Sequence, residues 1–283
     1  MKPYVVAALC LCLLPNAVSA IDPPIRADST VDWISGRLVV SITVSLADLA
    51  TPTEARSKAV DLFERKIGAI FCDVLYEMIL DSHRTVGEAF EDDPETLARL
   101  VAIGGNTNPS SIHMNTELES ITALYEYHFY PDIMSVFTVH THAYEPVEIL
   151  KFVPNVEYSG IVIYVGGSYP IHGEPPAPEN VVGFVPSLRP RIYDTNMRLV
   201  AEAEMVDPEA LNSWGLAAFT DRADYLVHKF RVGPTPLLTM AREVFGDHRT
   251  DIIIPASAAD RLLASRHNRE LIRQGRILVI FED

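Results

Sequence analysis

Cysteine is nearly absent from this chain. There are three in 283 residues, and two of them, Cys10 and Cys12, lie in an apolar run at the N-terminus. A protein left with Cys72 alone has no internal disulfide, so its stability comes from packing. Cys72 sits on the apolar side of a predicted helix, where a buried small hydrophobe is expected rather than a reactive thiol. Dense Lys/Arg runs are also missing, and 23 basic residues stand against 38 acidic ones. That balance removes the electrostatic footprint of a nucleic-acid binder and disfavours anionic lipid. No Gly-x-Ser-x-Gly elbow and no Gly-x-x-x-x-Gly-Lys-Ser/Thr loop occurs, which takes away the usual marks of a hydrolase or a nucleotide-binding enzyme. Beyond the first 20 residues no apolar run is long enough to span a bilayer.

What is present begins with an export signal. Lys2, the apolar stretch Val5 to Leu14 and the small residues up to Ala20 read as a secretory signal peptide over residues 1–20, with cleavage before Ile21. No lipobox accompanies it. Its removal takes one lysine and no acid, so the formal charge moves from −15 to −16. A periplasmic location follows as an expectation, with no integral span after cleavage.

Residues 21–30 read as a polar leader. Leu38, Val40, Ile42 and Val44 then alternate with more polar neighbours, which predicts a strand across Trp33 to Leu46. Thr51-Pro52-Thr53-Glu54 reads as a helix start, and apolar residues from Ala55 to Met78 recur every three or four positions, predicting a helix that runs to about Leu80. Pro94 to Ile103 predicts a second helix, stopped by Gly104-Gly105. Ile112 to Tyr130 and Ile133 to Tyr144 read as paired strands, the first with a phase slip near Ser120 that predicts a bulge or break. Prolines at 146 and 154 place a domain boundary near 145–157, giving an N-terminal α+β domain over 31–150 and a C-terminal one over 156–283. In the second, strands are expected at 158–167, 188–193, 198–205, 237–244, 251–254 and 276–281. A turn is expected at Asp194-Thr195-Asn196 and a helix over Ala258 to about Arg266. The fold class is α+β: mixed or antiparallel sheets in two sub-domains, each sheet covered by one or two helices.

Candidate sites are few. The stretch "YSGIVIYVGG" ends in glycines, but prolines follow where a phosphate-binding loop needs a helix N-terminus, so it reads as a core strand and turn. His140 and His142 have the spacing that puts two imidazoles on one side of a strand, a candidate metal pair. His128 is a poor third ligand, roughly 15–17 Å away along the hairpin at strand rise, and His113 or Glu117 depends on register. Two histidines on a polar strand face are the competing reading. Ser257 and Asp260 fit a helix N-cap and its first turn better than a nucleophile and its acid. Asp194 reads as a turn former. Trp33 and Trp214 read as packing residues, with Trp214 beside Gly215 the interface candidate. No catalytic residue and no cofactor is indicated.

The order of "YSGIVIYVGG", "LRPRIYDTNMRLV", "RVGPTPLLTMAREVFGDHRTDIIIPASAADRLL" and "GRILVIFED", with "VDWISGRLVVSI" and "EARSKAVDLFERKI" before them, resembles the LPP20-type envelope proteins and the flagellar accessory proteins FlgP and FlgT. That resemblance implies a non-enzymatic structural or interaction protein of the bacterial cell envelope, a flagellar motor accessory, with envelope or motor proteins or further copies of itself as partners. The alternative is a periplasmic metal- or small-ligand-binding protein. The residues that the resemblance carries over are structural: Gly160, Pro190, Arg191, Asp194, Gly233, Pro236, Asp251, Asp260 and Asp283. The sequence departs from the group at Tyr164-Val165-Gly166-Gly167, where relatives often have Asp-Ala-Arg-Gly, and in the Pro-rich stretch Ile171 to Pro186.

Overall fold

The computed structural model describes residues 24–48, 54–117, 119–149, 153–154, 156–175 and 177–281. The signal-peptide segment, the capping residue Thr51 and Asp283 lie outside them.

The N-terminal part is one antiparallel sheet with helices on one face. The supposed leader supplies strand β1 (Ile25–Asp32), which pairs with β2 (Arg37–Ser45) through a turn holding Trp33. Its polar sequence is no obstacle to a strand, because β1 is an edge whose side chains are mostly exposed. Helices α1 (Ala55–Leu75), α2 (Val86–Asp92) and α3 (Pro94–Asn106) follow, then β3 (Ser111–Met114) and β4 (Ser120–His128). The sheet order is β1-β2-β4-β3. In β2 and β4 the register pairs Leu38 with Tyr127, Val40 with Tyr125, Ile42 with Ala123 and Val44 with Ile121. All eight are buried beneath the apolar stripe of α1, the strand face expected from alternation. Cys72 is buried here, and burial pushes its thiol up to about 11.

Three expectations change in this half. Helix α1 stops at Leu75, because Ile79 and Leu80 leave the helix to accept hydrogen bonds from the backbone of Leu188 and Arg189 in the second domain. Helix α3 runs through Gly104-Gly105 rather than ending there. Gly104 is where α3 crosses α1: a β-carbon on it would lie 2.8 Å from the Phe71 Cβ and 3.0 Å from the Gly68 Cα. The phase slip near Ser120 is a true break, with β3 and β4 separated by a turn that Asn115 closes by accepting from Glu119 and Ser120. The return strand over Ile133 to Tyr144 does not exist. Both edges of β4 are already taken, by β2 and β3. Ile133, Met134, Val136 and Phe137 instead bury themselves on a helical turn, α4 (Met134–Phe137).

The described residues of the second domain form three sheets. A four-stranded parallel sheet has the order β10-β14-β5-β11, built from β5 (Ile161–Val165), β10 (Ala217–Thr220), β11 (Leu237–Met240) and β14 (Ile277–Phe281). A mixed sheet has the order β12-β13-β8-β9, from β8 (Ile192–Asp194), β9 (Leu199–Ala201), β12 (Glu243–Phe245) and β13 (Asp251–Ile254). The pair β6 (Ser168–Pro170) and β7 (Val181–Gly183) flanks them. Helices α5 (Pro208–Trp214), α6 (Lys229–Val232), α7 (Ala256–Leu263) and α8 (Arg266–Arg273) complete the fold. The expected strand over 237–244 is two strands in two sheets, and α8 and β10 lie in segments the apolar pattern left unassigned. The architecture is α+β in two sub-domains.

The strand in "YSGIVIYVGG" is β5, interior to the parallel sheet, and its glycines turn into β6 rather than a helix. No helix among the described residues is long and apolar enough to cross a membrane.

Candidate functional site

The seam between the domains holds the most structured site. Pro208 at the first turn of α5 suits a helix start. The helix ends at Gly215, whose φ of +75° disfavours a side chain. A β-carbon there would also fall 2.2 Å from Cζ of Tyr130. The carbonyls of Trp214 and Gly215 accept from Arg231, Nη1 at 2.7 Å and Nη2 at 2.9 Å. The Arg231 guanidinium carbon lies 4.8 Å from the centre of the Trp214 ring, a cation–π distance. The Trp214 indole N–H donates to the carbonyl of Gln274 at 3.0 Å.

Arg231 is 2% exposed, and its Nε–H has no partner. Burial pushes the guanidinium down to about 10, so it keeps its charge at neutral pH. Neighbouring Tyr130 is a neutral phenol, pushed up to about 12 by burial. Arg231, Trp214, Tyr130, Phe219 and Phe230 line a cavity of about 210 Å³ that Trp33 closes from the N-terminal domain. Trp33 packs edge-on against Phe129 at 4.9 Å. Trp214, the interface candidate, thus lies at an interface inside the chain. Arg231 was not legible as part of it, because its hydrogen-bonded partners are 16 and 17 residues away and no local spacing marks the contact.

His140 and His142 are not on a strand. They follow α4 on an irregular segment that crosses to the second domain, where the Thr138 hydroxyl meets Asn212 Oδ1 at 2.6 Å and Tyr144 N–H donates to Glu204. The strand premise that put both imidazoles on one side is corrected. His140 Nε2 donates to the Val206 carbonyl at 2.8 Å, so that nitrogen carries its proton and offers no lone pair. His142 Nδ1 lies 3.0 Å from the Thr141 hydroxyl. Among the described residues no three His, Cys, Asp or Glu side chains converge as a metal would need.

Several acids of the second domain hold ion pairs and turns. Asp194 accepts from the backbone of Asn196 and Arg198 and pairs with the Arg198 guanidinium at 2.6 Å. That guanidinium also reaches Asp260 at 2.9 Å, so Asp260, expected in the first turn, lies past the first turn of α7 as an ion-pair partner. Ser257 does not cap α7; the helix begins after Pro255 without a side-chain cap. Asp251 is buried, accepts from Arg191 N–H at 2.9 Å, and burial pushes its carboxyl up to about 6. Arg191 pairs with Glu202 at 3.1 Å, and Arg189 with Glu204. Asp81 of the N-terminal domain binds Arg84 at 3.0 Å beside this group. The glycine Gly160 lies against the Val232 backbone. Most residues carried over by resemblance thus hold strand ends and turns together.

No curated protein matches the chain. Two family models do, in chain order. Residues 24–136 match the model described as Treponema pallidum Tp0624, N-terminal domain, and residues 160–283 match Treponema pallidum Tp0624, second domain. The first match ends within α4 and the second begins one residue before β5, so each falls on one of the two sub-domains described above. By these matches the chain is similar, over most of its length, to the first two domains of Treponema pallidum Tp0624.

Proposed function

We propose that this chain is a non-enzymatic, exported protein of the bacterial cell envelope that works by binding another envelope protein. The observation that carries the reading is the exposed edge of the parallel sheet. Parallel sheets are normally covered on both faces. One face here, with Ile161, Ile163, Ile277 and Val279, lies in the main core. The other carries Val162, Leu278 and Ile280 beneath α6 and the short helical turn Tyr225–His228. Register puts Leu238 beside Val162 and Met240 beside Tyr164, on that same second face. Leu238 and Met240 are each 58% exposed on an edge strand, and Leu226 and Val227 on the covering turn are exposed too. An apolar strip along an unpaired sheet edge favours a protein partner.

The envelope setting rests on the signal-peptide pattern and on the resemblance to LPP20-type and FlgP/FlgT-like proteins, which also suggests the flagellar motor as the neighbourhood. In-cell cross-linking followed by affinity purification of a C-terminally tagged chain tests the reading. Recovery of an envelope or motor protein, lost in a Leu238→Asp/Met240→Asp variant, is the expected result. Recovery of the chain in multiples would assign the strip to a second copy instead. Recovery of monomer alone would overturn the reading.

A further inference from the structure

We propose that the seam cavity beneath Trp33 and Trp214 binds a small carboxylate carried on a flat apolar body, with Arg231 as the counter-charge. Arg231 is a buried cation with no anionic partner among the described residues. Burying an arginine costs several kcal/mol unless a partner of opposite charge meets it. Five other arginines of the second domain meet that requirement: Arg189 with Glu204, Arg191 with Glu202, Arg198 with Asp194 and Asp260, Arg269 with Glu148, and Arg273 with Asp207. Arg231 is more buried than any of them and bonds only two carbonyls. The chain does not lack acids, with 38 of them. Asp132, close in sequence to the wall residues Phe129 and Tyr130, is engaged by the His128 backbone N–H and faces its ring.

A guanidinium has five N–H donors. The carbonyls of Trp214 and Gly215 use two, and Nε–H is unbonded. The walls are ring faces and edges from Trp33, Tyr130, Trp214, Phe219 and Phe230, and the exposed Ile34 and Phe230 frame an opening to solvent. Flat apolar walls with one convergent charge, at a junction of two domains, are the usual build of a small-ligand site. A charge-assisted bond to carboxylate is the strong interaction such a site offers.

The cavity carries its own reporter, because both tryptophans of the chain line it. Tryptophan emission of the full chain is titrated with phenylacetate, 2-phenylethanol and benzylamine. The expected result is a saturable change with phenylacetate, at an affinity about tenfold or more above the neutral and cationic probes. Arg231→Gln should erase that preference. Since Arg231 also holds the end of α5, Phe230→Ala provides a second test on a 70% exposed side chain; it should weaken phenylacetate several-fold in a chain that still unfolds as wild type. Equal binding of all three probes, no saturable change, or an unaltered phenylacetate affinity in Phe230→Ala would each overturn the proposal. None of these outcomes depends on Leu238 or Met240, so this test is separate from that of the partner surface.

Discussion

The indole of Trp33 stands edge-on to the ring of Phe219, centroids 6.0 Å apart and planes at 78°. A residue in the first hairpin turn of the N-terminal sheet thus packs on a parallel strand of the second domain. Aromatic pairs in this arrangement add to plain area burial. Trp33→Ala should therefore lower stability by about 2–3 kcal/mol. Urea unfolding is expected to show the lower midpoint, and a loss under about 0.5 kcal/mol would mean that the seam does not lean on this ring.

Gly215 is both a helix end and a point of contact. Its positive φ and the Tyr130 ring leave no room for a side chain. Gly215→Ala should cost on the order of 3 kcal/mol and move the Tyr130 ring out of the cavity wall. Thermal unfolding measures the first effect. A wild-type midpoint would show that the ring can shift without cost.

Arg198 bridges Asp194, which is wholly buried, and Asp260. Removing the arginine leaves a buried carboxylate with only backbone N–H donors. Arg198→Ala is expected to destabilise by about 3 kcal/mol, and Asp260→Asn by about 1, since Arg198 then still meets Asp194. Chemical denaturation of the two variants side by side gives the comparison. Equal losses would place the weight on Asp260 instead.

Asp251 should leave a signature in pH dependence. Burial raises its folded-state carboxyl to about 6, above the ordinary carboxylate near 3.9 in the unfolded chain. Between those values the folded form holds a proton that the unfolded form has lost. The stability this group contributes is therefore full below about pH 4 and is lost as pH rises through about 6. Asp251→Asn keeps an acceptor for Arg191 N–H and cannot ionise. Its melting temperature relative to wild type should rise between pH 5 and pH 8. A constant difference across that range would contradict the raised carboxyl.

Much of the fold was readable where one period ruled a segment. Leu38, Val40, Ile42 and Val44 alternate, and all are buried. The terminal strand over 277–281 and the turn at Asp194 were equally plain, the latter because an aspartate accepting from the next backbone N–H groups is a local event. Residues 133–144 misled for a related reason. Their apolar residues fit an alternation, but whether a strand forms depends on a free edge to pair with, and β3 had taken that edge. The strand geometry assumed for His140 and His142 went with it.

Trp214 sits at the end of α5 beside Gly215, a contact point inside the chain. Arg231 gave no signal at all, since "HKFRVG" looks like an exposed basic turn. Only folding puts its guanidinium against the Trp214 ring, with no ion-pair partner among the described residues.

The sequence by itself determined the strands and helices whose apolar residues keep one period, the turn at Asp194, and the α+β class. These depend on neighbours within a few positions. The tertiary structure decided where α1 stops, which strands share a sheet, that Gly104 is a crossing and not a stop, and that Arg231 is buried without a counter-ion among the described residues. Each of those follows from contacts between distant segments, where close packing and the need to satisfy buried backbone and charge override local preference.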